Sequence, residues 1–223
     1  MIKAVLFDLD NTLIDFIAMK NAASEAAIEA MIKTGLTLDK NKAMKILYQM
    51  YEEYGIENQQ IFNEFLKKTT GTINYKILAA GVIAYRKTKP AHVKPYKGVI
   101  PTLEELKKRG YKLAIVSDAP KEQAYLRLEE MKLAEYFDTI VTFDDTGHKK
   151  PHAMPFQTAL QELNVKPNEV LHVGDMPERD IAGAKALGMK SALAKYGLTK
   201  PLTVKADYEL EKIEDLLLIT PSN

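Results

Sequence analysis

Residues 1–12 read Met1-Ile2-Lys3-Ala4-Val5-Leu6-Phe7-Asp8-Leu9-Asp10-Asn11-Thr12. The run from Ala4 to Phe7 is apolar throughout, the pattern of a strand buried on both faces. It stops abruptly at two carboxylates one residue apart, Asp8 and Asp10, with Thr12 behind them. In an open α/β sheet the chemistry lies just beyond the carboxyl ends of the strands, so this D-x-D places two acids at one mouth. Alone the pattern carries little, because charged residues make up about 25% of usage and one such spacing is expected by chance in a chain of this length. Its meaning rests on what later strands bring to the same place.

Strand–helix alternation does not begin at once. From about Phe16 to Tyr85 the sequence reads as helix: Ala43, Ile46, Leu47, Met50, Tyr51 and Tyr54 fall on one helical face, with helices before and after them closing near Gly35 and Gly71. Residues 16–88 are therefore expected to form a small helical bundle inserted after the first strand. Pro90, Pro95, Gly98 and Pro101 mark the return. Alternation then resumes, with strands expected at 111–116, 137–143, 170–173 and 191–194, a last short one at 208–210, and helices between them. Strands and helices of these lengths predict an α/β fold with a doubly wound, Rossmann-like parallel sheet, built from 1–15 and 89–223.

The totals exclude several classes. The chain has 223 residues, 46% hydrophobic and 27% charged, with a formal net charge of +1. Nothing in that balance calls for nucleic acid or an anionic membrane surface. There is no cysteine, which removes disulfides, thiolate metal sites and a Cys nucleophile and suits a cytoplasmic setting. The first apolar run is too short for a signal peptide, and the longest, Ile77 to Ala84, is too short to span a membrane.

Four features coincide with expected strand ends: Asp8 and Asp10; Ser117; Lys149-Lys150 before Pro151; and Gly174-Asp175 followed by Asp180. Converging carboxylates repel, so a proton or a cation must sit among them. An all-oxygen set without His or Cys selects a hard ion, Mg²⁺. A Lys and a Ser at the same mouth offer a phosphate a point charge and a hydroxyl donor. An ordinary Asp has a pKa of about 3.9, so Asp8 is expected to be ionised and ready to attack. Asp10 is then a candidate acid for the leaving oxygen and base for the water that follows, a role that needs it protonated in the complex, its pKa raised by its neighbours.

The order D-x-D-x-T, Ser, Lys-Pro, G-D-x-x-x-x-D resembles the haloacid dehalogenase-like hydrolase superfamily, over most of the chain. The resemblance implies Asp8 as nucleophile, Asp10 as acid/base, and Ser117 and Lys150 as the phosphate-binding pair. It implies Asp175 as a metal ligand with Asp8 and the backbone carbonyl of Asp10. Asp180 is implied as a ligand through water or a support behind the ligands. The helical insertion looks like the family's first-position cap. Asp10 points to phosphoryl transfer, since dehalogenating members lack the second Asp. The segment Ala80–Tyr85 and the run Lys149-Lys150-Pro151-His152 look like an archaeal phosphatase branch, which implies a small phosphorylated metabolite such as glyceraldehyde 3-phosphate as partner. A phosphomutase and, at greater distance, a phosphorylated signalling receiver would use similar groups. Two departures from the family pattern stand out: Asn11 where Gly or Asp is commoner, and Ala119 where Gly is common, a position that a positive φ would strain.

Bland roles compete for the same residues. Ser117 and Asp180 read equally as helix N-caps, His172 as a strand-packing histidine, and His148 and His152 as surface loop. Phe16 and Lys20 are candidates to face substrate from the cap or to pack at a helix start. Tyr48, Tyr51 and Tyr54 read as cap core.

Overall fold

A computed structural model describes residues 1–221. In chain order the elements are β1 (Ala4–Phe7), α1 (Phe16–Lys33), α2 (Lys40–Tyr54), α3 (Ile61–Thr70), α4 (Tyr75–His92), α5 (Val99–Lys108), β2 (Lys112–Val116) and α6 (Lys121–Glu130). There follow β3 (Thr139–Val141), α7 (Phe143–Thr146), α8 (Ala153–Leu163), β4 (Val170–Gly174), α9 (Ala182–Ala186), β5 (Lys190–Ala194), β6 (Tyr208–Leu210) and α10 (Leu216–Ile219). The chain divides into two compact units, Met1–Phe16 with Lys94–Asn223, and Ile17–Val93.

The first unit is a six-stranded sheet of order β3-β2-β1-β4-β5-β6, parallel at every pairing. Strand order reverses at β1, which has β2 on one side and β4 on the other. The carboxyl end of β1 therefore sits at the switch point where α/β sheets bind their ligands. Side chains alternate across the sheet. Ala4, Leu6, Ala114 and Val116 face Phe156, Ala159, Leu160 and Leu163 of α8 in one apolar cluster. Val5, Phe7, Leu113 and Ile115 are equally buried, and Phe7 meets Phe137 edge-on at 6.2 Å.

Two elements differ from expectation. The strand expected at 137–143 holds only Thr139–Val141: Phe137 still caps the helical turn at Ala134–Tyr136, and Thr142 already caps α7. The Asp145 carboxylate accepts from Thr142 N at 2.9 Å. The helix expected from 180 begins earlier, as a π-helical turn at Pro177–Ile181 that runs into α9.

The second unit is made of α1 to α4 only, apart from Phe16. Ile28, Met31, Leu47, Met50, Phe65 and Leu66 form its closed core. Asp39 and Asn74 cap α2 and α4 by accepting from Lys42 N and from Lys76 N and Ile77 N. The return, expected at 88, comes later: α4 continues through Pro90 to His92. A proline in the last turn forfeits one hydrogen bond and leaves the turns before it intact. Phe65 is fully buried at the centre of this core. Phe65→Ala should lower the unfolding free energy by about 3–5 kcal/mol, read as a fall in the urea midpoint.

Candidate active site

The segment after β1 folds back as a tight turn. Asn11 N donates to Ile14 O at 2.7 Å, and Leu13 N and Ile14 N donate to Leu9 O at 2.9 and 3.3 Å. Asn11 adopts φ 59°, left-handed backbone that Asn tolerates better than most residues. That explains an Asn at this position. Ala119 is not among the described residues with positive φ, so its methyl group costs the backbone nothing. Two later segments clamp the turn. Tyr96 N donates to Leu13 O, and the Tyr196 hydroxyl donates to Thr12 O at 2.9 Å. A Cβ on Gly197 would fall on the Asn11 carbonyl oxygen, so only glycine permits that approach.

Asp8, at the mouth of β1, is buried with Asp175 and Asp180, and one oxygen from each of the three lies within 4.8 Å of the others. Lys150 is driven into this group. Its Nζ donates to Asp8 Oδ1 and to Asp180 Oδ1, both at 2.6 Å, and the residue is only 4% exposed. Asp180 also accepts from His172 Nε2 and Met176 N, each at 3.0 Å. Both oxygens of Asp180 are thus engaged, and it belongs to the π-helical turn, with no N-cap role for its side chain. Gly174 makes room for it: a Cβ there would overlap the Asp180 carboxylate. Thr12 Oγ1 donates to Asp8 Oδ2 at 3.3 Å.

Burial dominates the electrostatics. It pushes Asp8 up to about 7; Lys150 acts against the rise, while Asp180 and Asp10 add to it. Asp175 is pushed up to about 9, by burial first and then by the charges of Asp8 and Asp180. Burial opposes the charge on Asp180 too, but the Lys150 ammonium and the His172 bond outweigh it and hold this carboxyl well below the usual range. Lys150 is held protonated, the penalty of burial being exceeded by Asp180 and Asp8. Burial also lowers His172, the Asp180 bond notwithstanding. The expectation that Asp8 ionises as an ordinary Asp thus needs correction: with only protein groups around it, Asp8 retains its proton to near neutrality.

Both oxygens of Asp175 are buried without a hydrogen-bond partner among the described residues. Buried carboxylate oxygens are costly unless something positive faces them. Asp8 and Asp175 therefore fit a hard cation held by oxygen ligands. Asp10 stands apart from this cluster. Its Oδ2 accepts from Arg127 Nη1 at 3.1 Å, and the Arg127 guanidinium lies 4.5 Å from the Phe16 ring centre. Ser117 follows β2, and its Oγ accepts from Ala119 N at 3.2 Å; the helix cap at α6 is Pro120 instead.

Of the two lysines, Lys149 is exposed, 5.5 Å from the centre of the Phe143 ring. His148 and His152 are exposed and stacked at 4.0 Å. Lys20 lies within the helical unit, 4.7 Å from the Tyr51 ring and 5.4 Å from that of Tyr85. Tyr51 is buried, whereas Tyr48 and Tyr54 are exposed. Sequence reasoning missed Arg127, which is 1% exposed. Its signal was a charge on the apolar stripe of α6, between Ala124, Leu128 and Met131. It also missed Asp118, which accepts from Lys150 N at 2.8 Å.

A family model described as haloacid dehalogenase-like hydrolase matches residues 5–194. The chain is 37% identical to a glyceraldehyde 3-phosphate phosphatase of Pyrococcus furiosus, over 97% of this chain and 92% of the relative. It is 35% identical to the pyrophosphatase PpaX of Bacillus anthracis, over 98% and 96%. A solved phosphatase of the same family from Thermococcus onnurineus superposes with a TM-score of 0.70 at 28% identity, covering 100% of this chain and 99% of that one.

The raised carboxyls carry a signed consequence for stability. A group whose proton affinity rises on folding stabilises the fold below its unfolded pKa and gives that up as pH climbs through the folded one. For Asp8 and Asp175 the window runs from 3.8 to about 7 and about 9. In chelator the thermal midpoint should fall as pH rises from 5 to 9. Millimolar Mg²⁺ should restore it, and by more at pH 9 than at pH 5, because the cation competes with protons for the same oxygens. Equal shifts at both values would contradict this.

Proposed function

Because this chain belongs to the haloacid dehalogenase-like hydrolase family, we propose that it is a Mg²⁺-dependent phosphomonoester phosphatase working through an aspartyl-phosphate at Asp8. The observation that carries this is the buried Lys150 ammonium held 2.6 Å from Asp8, with two unpartnered Asp175 oxygens beside it. Mg²⁺, bound by Asp8, Asp175 and the backbone carbonyl of Asp10, would neutralise charge between the nucleophile and a phosphate dianion.

The chain's own groups carry the rest. An Asp8 oxygen attacks phosphorus, and the bond from phosphorus to the ester oxygen breaks. Asp10 gives its proton to that oxygen, and the alcohol leaves. Asp10 then takes a proton from water as the water attacks the same phosphorus, which frees inorganic phosphate and restores the Asp8 carboxylate. Lys150 donates to Asp8 in the resting site and would shift onto a phosphoryl oxygen, with the Ser117 hydroxyl as a second donor. Asp180, with its oxygens committed to Lys150, His172 and Met176 N, holds Lys150 and supports the ligands from behind. Arg127 fixes the orientation of Asp10.

The substrate is a small phosphorylated metabolite, with glyceraldehyde 3-phosphate as the first candidate on the strength of the archaeal relatives. The helical unit, Ile17–Val93, acts as the cap that selects it. The test is hydrolysis of a chromogenic phosphate ester, followed by a panel of phosphorylated metabolites. Asp8→Asn should abolish turnover, EDTA should abolish it reversibly, and Lys150→Ala should lower kcat by about 10²–10³-fold. Turnover that survives Asp8→Asn would overturn the mechanism.

A further inference from the structure

Resting on the reading of Lys150 as the phosphate-binding cation, we infer that Asp118 is a positioning residue that sets where the Lys150 ammonium stands. Lys150 is a buried residue within an otherwise exposed stretch: Gly147, His148 and Lys149 before it are all exposed, as are Pro151 and His152 after it. A lysine side chain is long and rotamer-rich, so its head is only as well placed as the main chain it hangs from. That main chain is held by Asp118, whose Oδ1 accepts from Lys150 N at 2.8 Å.

The same carboxylate reaches a third loop. Asp118 Oδ2 accepts from Arg179 Nη1 at 3.3 Å, and Arg179 lies in the π-helical turn next to Asp180. Asp118 therefore joins the loop after β2, which carries Ser117, to the loop that carries Lys150 and to the turn that carries Asp180. Other ties hold the first two loops together, among them Phe143 N to Ala119 O at 3.2 Å and Lys121 N to Asp144 Oδ2 at 2.6 Å. Those reach the loop at or near α7, several residues before Lys150, whereas the Asp118 bond is made to the amide of Lys150 itself. The Arg179 contact is half-exposed, with 47% of the Arg side chain in solvent, and such pairs contribute little. What matters is the acceptor oxygen facing Lys150 N, and an Asn supplies the same oxygen.

The experiment compares Asp118→Ala, Asp118→Asn and Asp118→Leu with the parent, each alone and Asp118→Ala also in the Lys150→Ala background. The readouts are kcat and KM for a chromogenic phosphate ester with Mg²⁺, inhibition by inorganic phosphate, and the thermal midpoint. Asp118→Ala should lower kcat by about 10²-fold, the cost of an ångström of misplacement, and weaken phosphate inhibition. Asp118→Asn should recover activity to within a few fold. In the Lys150→Ala background the Asp118→Ala change should add almost nothing, since residues acting through one group are not additive. If Asp118→Ala fails to fold, Asp118→Leu, of similar shape and without an acceptor, takes its place in every comparison. Losses that multiply with Lys150→Ala, an acceptor-free variant within twofold of the parent, or an Asn variant as poor as Ala would each overturn the inference. Failure of the phosphatase reading itself shows separately, as turnover that survives Asp8→Asn or is unaffected by Lys150→Ala.

Discussion

One ammonium, that of Lys150, has to balance a buried group of carboxylates that arrive from opposite ends of the chain. Asp8 and Asp180 each lie 2.6 Å from it, and Asp175 is close by with no hydrogen-bond partner for either oxygen among the described residues. Removing one member of a buried ion pair usually costs more than the pair contributes, because the remaining charge is left uncompensated. Here there are three acids to one base, and burial keeps His172, the other basic group in contact, in its neutral form. Burial first, and then this deficit of positive charge, raise the proton affinities of Asp8 and Asp175.

The sheet exists in the form needed to hold that deficit. Parallel strands bring their carboxyl ends to one edge, and the reversal of order at β1 opens a crevice there. β1 delivers Asp8, and β4 on one side delivers Asp175 one residue past Gly174. β2 on the other side leads to Ser117 and Asp118. The bare backbone at Gly174 lets the Asp180 carboxylate lie against the strand end, and the bare backbone at Gly197 lets a later loop press on the Asn11 carbonyl. Two missing side chains, on β4 and on the turn after β5, thus shape the same mouth.

Much of this was legible because short, largely apolar strands that end in polar residues are easy to see. Ala4–Phe7, Leu113–Val116 and Val170–Val173 each end at a polar residue of the site or one glycine short of it. The alternation of such strands with helices was enough to assign the parallel sheet and the α/β fold. What escaped notice depends on contacts across the sheet, which periodicity does not report. Asp180 reads both as a helix start and, by the family resemblance, as a water-mediated ligand or a support behind the ligands, and only the folded chain reveals that its oxygens are spent on Lys150, His172 and Met176 N. His172 reads as strand packing and does stack edge-on against Phe156 at 5.0 Å, yet its Nε2 meets Asp180. Arg127 was hidden by its neighbours: one charge among Ala124, Leu128 and Met131 looks like an interruption of a stripe until Asp10 is found facing it. The end of α4 was misplaced for a different reason, since a proline near a helix terminus and a proline in a linker look alike in sequence.

A simple expectation also fails in an informative way. An exposed Asp is ionised at neutral pH without help, which makes it an easy nucleophile to postulate. Asp8 is not exposed, and in its own protein surroundings it keeps a proton to about 7. The burial that would strengthen every electrostatic contact with a phosphate also disfavours the charge on Asp8 that the proposed attack requires. The two requirements are compatible only if ionisation of Asp8 is tied to the arrival of positive charge. Lys150 supplies part of that charge permanently, and the unpartnered oxygens of Asp175 mark where the remainder belongs. A cation held there would compete with protons for the same carboxylate oxygens, and its binding would favour the ionised form of Asp8.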